Sequence, residues 1–116
     1  MIKTLSNLEE FNNVIKEQTE ELYLMFYTAS WCGPCKFIYP LIERLDVQIK
    51  GISIYKIDVD NDNINTDDDE NSKISVVNDV DCMPTFHLYK KGEIISKIIG
   101  ANKIKLLKEI KIYLEN

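Results

Sequence analysis

Two cysteines in the run Trp31-Cys32-Gly33-Pro34-Cys35-Lys36 are the residues of this chain best suited to chemistry. Attack on a disulfide needs a thiolate. Cys32 follows a long apolar run and precedes a helical pattern. Its sulfur can therefore sit over unpaired N–H groups at a helix N-terminus, where the dipole favours negative charge. Pro34 suits the first turn, where its missing N–H would be unpaired anyway. Gly33 lets a partner chain come close. Cys35 follows one helical turn later. That spacing supports a two-step exchange, in which Cys32 attacks a target to form a mixed disulfide and Cys35 then attacks Cys32 and releases the reduced target. A zinc site is the alternative chemistry, with Cys32, Cys35, Cys82 and His87 counted as ligands. Only one pair has metal-type spacing, and Gly-Pro between the cysteines has a full redox explanation, so no metal and no bound cofactor are expected.

The elements that must position this pair follow from hydrophobic pattern. Ile2 to Leu5 reads as a short strand. Ser6-Asn7-Leu8-Glu9 has capping-box spacing, with Ser6 as N-cap. Leu8, Phe11 and Ile15 then share one face of a helix ending near Gln18. Leu22 to Thr28 is continuously apolar and aromatic, as in a strand buried on both faces. After the cysteines, Phe37, Ile38, Leu41, Ile42 and Leu45 mark the apolar side of a helix that Pro40 should kink. Ser53 to Asp58 alternates like a strand. Asn61 to Asn71 is polar and acidic, and reads as a solvated loop. Ser72 to Asn78 suits a short helix. Thr85 to Tyr89 and Ile94 to Ile99 read as strands, with Lys90-Lys91-Gly92-Glu93 as a hairpin turn between them. Asn102 can cap a final helix with Leu107, Ile110 and Leu114 facing inward. The order β-α-β-α-β-α-β-β-α predicts an α/β fold, a mixed five-stranded sheet flanked by four helices.

The bulk numbers fit one soluble domain over residues 1–116. The chain has 116 residues and a net charge of -5. Five acids (Asp62, Asp67, Asp68, Asp69 and Glu70) account for that charge, and the remaining acids and bases balance. No basic surface is left for nucleic acid, and no run is long enough for a membrane helix. The start, Met1-Ile2-Lys3-Thr4-Leu5, has no apolar signal region, so a cytoplasmic, reducing location is expected.

The motif Trp31-Cys32-Gly33-Pro34-Cys35-Lys36 with Pro40 resembles the active site of thioredoxins. Met83-Pro84-Thr85-Phe86 resembles that family's cis-proline loop, and Lys90-Lys91-Gly92 and Gly100-Ala101-Asn102 its later turns. Cys82 before Met83-Pro84 and the Gly-Ala-Asn turn are closer to the eukaryotic cytosolic type. The resemblance covers essentially the whole chain and implies a thioredoxin fold. It implies that Cys32 is the nucleophile and Cys35 the resolving thiol, with Gly33, Pro34, Lys56, Asp60 and a cis Pro84 supporting the site. Trp31, Val59, Met83, Pro84, Thr85, Gly100 and Ala101 would line a groove for an extended target, as in β-augmentation. The implied partners are an NADPH-dependent thioredoxin reductase and disulfide-containing proteins. The chain would be a monomer, with Cys82 either a plain thiol or the link of an oxidised dimer.

Three departures from the family stand out. The family usually has a buried aspartate six residues before the nucleophile, proposed to help deprotonate the resolving cysteine; here the residue is Phe26. Lys56 matches a lysine often found beneath the site, and without the acid it would be unpaired or reach out to solvent. The stretch at about 61–70 reads as an acidic insertion. His87 falls where the family accepts many residues, so a structural or surface role is expected. A disulfide oxidase or isomerase of secreted proteins is one rival reading. A binding or scaffold module that kept the fold but little reductase activity is another.

Overall fold

All seven residues of β2 (Leu22–Thr28) are buried, which is why this strand reads as an unbroken apolar run. The computed structural model describes residues 1–17, 19–64 and 72–115. Around β2 it places β1 (Lys3–Thr4), α1 (Leu8–Ile15), α2 (Gly33–Gln48), β3 (Ile52–Asp58), α3 (Ile74–Val77), β4 (Thr85–Lys90), β5 (Glu93–Ile99) and α4 (Lys103–Leu114). The strands form one mixed sheet in the order β1-β3-β2-β4-β5. β1, β3 and β2 run parallel, whereas β4 pairs antiparallel with both β2 and β5.

The path from β1 over β3 to β2 and back to β3 reverses direction, so two right-handed crossovers put α1 and α2 on opposite faces. Strand alternation then divides the core. Phe26 stacks on Tyr39 of α2 and on Phe86 of β4 on one face. Tyr27 meets His87, and Phe11 of α1 meets Tyr89, on the other. At the β4–β5 hairpin Lys91 has φ 53° and Gly92 φ 79°. Two successive positive φ values give the tight turn whose twist matches the strands, and glycine takes the second position without strain.

Several boundaries differ from the sequence reading, each for a local reason. The first helix is capped one residue later than expected. Asn7, not Ser6, accepts the Glu10 N–H, and the Glu10 carboxylate accepts from the Ser6 N–H at 2.7 Å. The helix stops at Ile15 rather than near Gln18, which lies outside the described residues. α2 runs unbroken through Pro40 to Gln48. Ile38, Leu41, Ile42 and Leu45 are buried on it, but Phe37 is 64% exposed under the Lys103 ammonium. On α4 Leu106 and Ile110 are buried and Leu114 packs against the core, while Leu107 faces out.

The largest correction concerns Asp62, read from the sequence as part of a solvated loop. It is fully buried, accepts the Ser75 N–H at 2.8 Å and pairs with Lys73 at 3.8 Å. It therefore anchors the start of α3. Ile64 is tied to the first helix cap, donating to the Ser6 carbonyl and accepting from the Asn7 amide. The rest of the acidic stretch, residues 65–71, lies outside the described residues.

Candidate functional site

α2 begins immediately after Cys32, and this fixes the sulfur where the helix N–H groups converge. Cys32 is the N-cap, and its Sγ accepts the Cys35 N–H at 3.1 Å. Cys32 and Cys35 form a disulfide, with their Cα atoms 5.3 Å apart. Both are buried, Cys35 more deeply than Cys32. Pro34 sits in the first turn of the helix, where no backbone donor is needed. A Cβ added to Gly33 would meet nothing within 4 Å, so the backbone there is open to a partner chain.

The loop after β3 holds Trp31 in place. Its Nε1 donates to Asp60 Oδ2 at 2.9 Å while the ring stays 66% exposed. The Met83–Pro84 peptide is cis, and the Pro84 carbonyl accepts the Gly100 N–H at 2.8 Å. That bond brings the Gly100–Ala101 turn beside the proline loop. Gly100 itself has φ 92°, a conformation that favours glycine. Trp31, Met83, Gly100 and Ala101 all keep exposed surface around this region. The other expected groove residues do not. Val59 is only 8% and Thr85 only 3% exposed, because each caps an inward-facing position at a strand end. The Thr85 hydroxyl donates back to the Cys82 carbonyl instead. Pro84 is buried too, so it shapes the loop rather than presenting a side chain.

On the far side of Cys35 lies a cavity of about 380 Å³. Phe26, Tyr39 and Pro40 give it an apolar floor, and Lys56, Asp58 and Lys36 give it charged walls. Lys56 is half-buried, with its Nζ 5.8 Å from the Tyr39 ring centroid and no carboxylate ion partner among the described residues. Burial pushes the Tyr39 phenol up from its ordinary value, with Glu43 and Asp46 adding to the effect. In the sequence Asp58 is marked only as the end of a strand. Its signal was available, because Lys56 and Asp58 alternate onto one face of β3. Asp58 Oδ1 accepts the Asp60 N–H at 3.0 Å and Oδ2 accepts from Asn61 Nδ2 at 3.2 Å.

The two residues counted as further zinc ligands do not join the pair. Cys82 is exposed, and His87 packs against Tyr27 inside the core. Among the described residues no group of three or more His, Cys, Asp or Glu is placed to hold a metal ion.

Comparison with known proteins agrees with this geometry. The thioredoxin family model matches residues 2–112. A thioredoxin of Gallus gallus is 36% identical over 111 residues, covering 96% of this chain and 97% of its own length. The mitochondrial thioredoxin-3 of Saccharomyces cerevisiae is 43% identical over 110 residues, covering 95% of this chain and 78% of its own. The crystal structure of a thioredoxin from Trypanosoma brucei brucei superimposes with a TM-score of 0.85 at 28% identity, covering 100% of this chain and 93% of that one. Thioredoxins in general work with thioredoxin reductase and disulfide substrates. With a dithiol pair at the start of α2 and relatives alike over nearly its full length, the chain belongs to the thioredoxin family and is a thiol–disulfide oxidoreductase.

Proposed function

We propose that this thioredoxin is a general reductant of protein disulfides in the cytoplasm, recycled by an NADPH-dependent thioredoxin reductase. It acts as one domain over residues 1–116, with an acidic insertion at about 61–70. Cys32 is the attacking thiol and Cys35 the resolving one. The observation that carries this assignment is the Cys35 N–H donated to Cys32 Sγ at 3.1 Å, at the N-terminus of a sixteen-residue helix. A thiolate at Cys32 gains from that donor and from the helix dipole, while Cys35 is the more deeply buried of the two. An extended target lies along the cis-proline loop, against Trp31, Met83, Gly100 and Ala101, and its backbone pairs beside Pro84.

Trapping tests the assignment. Cys35→Ser is expected to accumulate mixed disulfides with target proteins, and Cys32→Ser is not. The reverse pattern would exchange the two roles. Reductase-coupled insulin reduction separates this reading from a scaffold module, which would show almost no turnover.

The exposed thiol of Cys82, beside the proline loop, supports a reducing location and a monomer that oxidation can link. Peroxide is expected to give a covalent dimer that Cys82→Ser abolishes. A wild type that stays monomeric on non-reducing gels rules the dimer out. Fractionation of cells expressing the chain tests the location, and recovery in the mitochondrial matrix would contradict it.

A further inference from the structure

The resolving step needs a proton acceptor, and position 26, where the family usually places one, holds Phe26. We propose that Asp58 takes this role, receiving the Cys35 proton through water in the cavity the two residues share. The inference rests on Cys35 being the resolving thiol.

Three observations carry it. First, the cavity of about 380 Å³ touches both Cys35 and Asp58. A water molecule occupies about 30 Å³ in the liquid, so several fit, and Thr28, Ser30, Lys36 and Lys56 supply polar groups to hold them. Second, the other titratable groups facing this space are poor acceptors. From α2 come Lys36 and Tyr39, and from β3 comes Lys56; β2 contributes only Phe26, Thr28 and, just beyond its end, Ala29 and Ser30. Ammonium groups donate and do not accept, and burial keeps the Tyr39 phenol protonated. Asp58 is the carboxylate on these walls. Third, Asp58 is already oriented. The Asp60 N–H and the Asn61 amide each engage one of its oxygens, and each oxygen keeps a further lone pair for water.

The step balances as follows. The Cys35 thiol gives its proton to a cavity water, which passes one to the Asp58 carboxylate. The Cys35 thiolate attacks Cys32 Sγ of the mixed disulfide and forms the Cys32–Cys35 bond. The bond from Cys32 to the target breaks, and the target sulfur leaves with the electron pair as a thiolate. The dithiol is oxidised and the target disulfide is reduced. Asp58, which is half-exposed, then returns the proton to solvent.

The experiment measures the lifetime of the mixed disulfide by acid quench and mass spectrometry, from about pH 6 to about pH 8. Asp58→Asn keeps the size of the side chain and an acceptor for the Asp60 N–H. It is expected to lengthen the lifetime about tenfold or more at the acid end. Its resolving rate should rise about tenfold per pH unit, as solvent hydroxide replaces the acceptor, while the wild-type profile stays shallower. Asp58→Glu should restore a shallow profile, which a merely structural role for Asp58 would not do. The first attack by Cys32 is read in the same experiment, and the lengthening is expected in the resolving step rather than in that attack. Equal lifetimes and equal slopes in Asp58→Asn and wild type would overturn the proposal. If Asp58→Asn fails to fold, a proton inventory on the wild-type resolving step decides instead. A bowed dependence on deuterium fraction supports a relay through water, and a straight line overturns it. Failure of Cys35→Ser to trap any mixed disulfide would instead remove the assignment of roles on which the relay rests.

Discussion

Phe26 shows how one substitution changes both the energetics and the chemistry of the site. Its ring lies 5.2 Å from Phe86 and 6.0 Å from Tyr39, centroid to centroid, stacked between them and almost wholly buried. A carboxylate at this depth would be poorly solvated and would need a partner. Lys56, its strand neighbour across β2 and β3, is the nearest cation by register. Phe26→Asp is therefore expected to destabilise the fold by about 3–5 kcal/mol, since it removes a packed ring and buries a charge. Urea unfolding of the two forms measures this directly. A midpoint that does not move would mean that Lys56 fully compensates the acid.

Among the elements, α3 depends on a residue that composition disguised. Asp62 sits in an acidic stretch, and nothing in its own neighbourhood marks it as buried. The donors it serves, the Ser75 N–H and Lys73, lie more than ten residues on and become neighbours only after the chain folds back. Asp62→Ala is expected to cost about 1–3 kcal/mol, because it leaves a buried N–H without an acceptor. Asp62→Asn should cost less. Replacing residues 65–70 by a Gly/Ser segment of equal length should change stability by less than about 0.5 kcal/mol. Thermal melts of the three chains should rank them in that order, and an equal loss in all three would contradict the anchor. Other elements were legible for stated reasons. β2 is buried on both faces and so cannot be mistaken for a half-exposed strand. The dithiol motif fixes its own helix start. The start of α1 is ambiguous in the sequence because Ser6 and Asn7 can both cap and Glu9 and Glu10 can both reach back. α4 carries Leu106 and Leu107 side by side, and only packing decides which faces in. Phe37 is exposed because apolar character alone does not say which side of an element meets the sheet, whereas Val59 and Thr85 are assigned to the groove only by the family resemblance, and packing at the strand ends buries them. The cavity beside Cys35 lies between α2 and β3, two elements that meet only in the folded chain.

For the molecule as a whole, the sheet face against α1 carries a pH dependence of stability. His87 is 3% exposed, its Nδ1 has no hydrogen-bond partner among the described residues, and its ring packs edge-on against Tyr27. Burial pushes its pKa down to about 4 from 6.5, with Lys97 adding a smaller push. The sign follows from proton counting. Between about 6.5 and about 4 the unfolded chain binds a proton at this histidine and the folded chain does not. Folding stability therefore rises with pH across that window and is lost as pH falls through it. Above the window neither state is protonated, and below it both are. The contribution between about pH 7 and pH 5 should be about 1–2 kcal/mol. His87→Leu fills the same apolar position without a titrating group, so its stability should fall less over that interval than the wild type's. Urea melts of both chains at the two pH values measure the difference. Identical falls in stability would show that His87 stays accessible to protons in the folded state, and the buried, neutral imidazole would have to be abandoned.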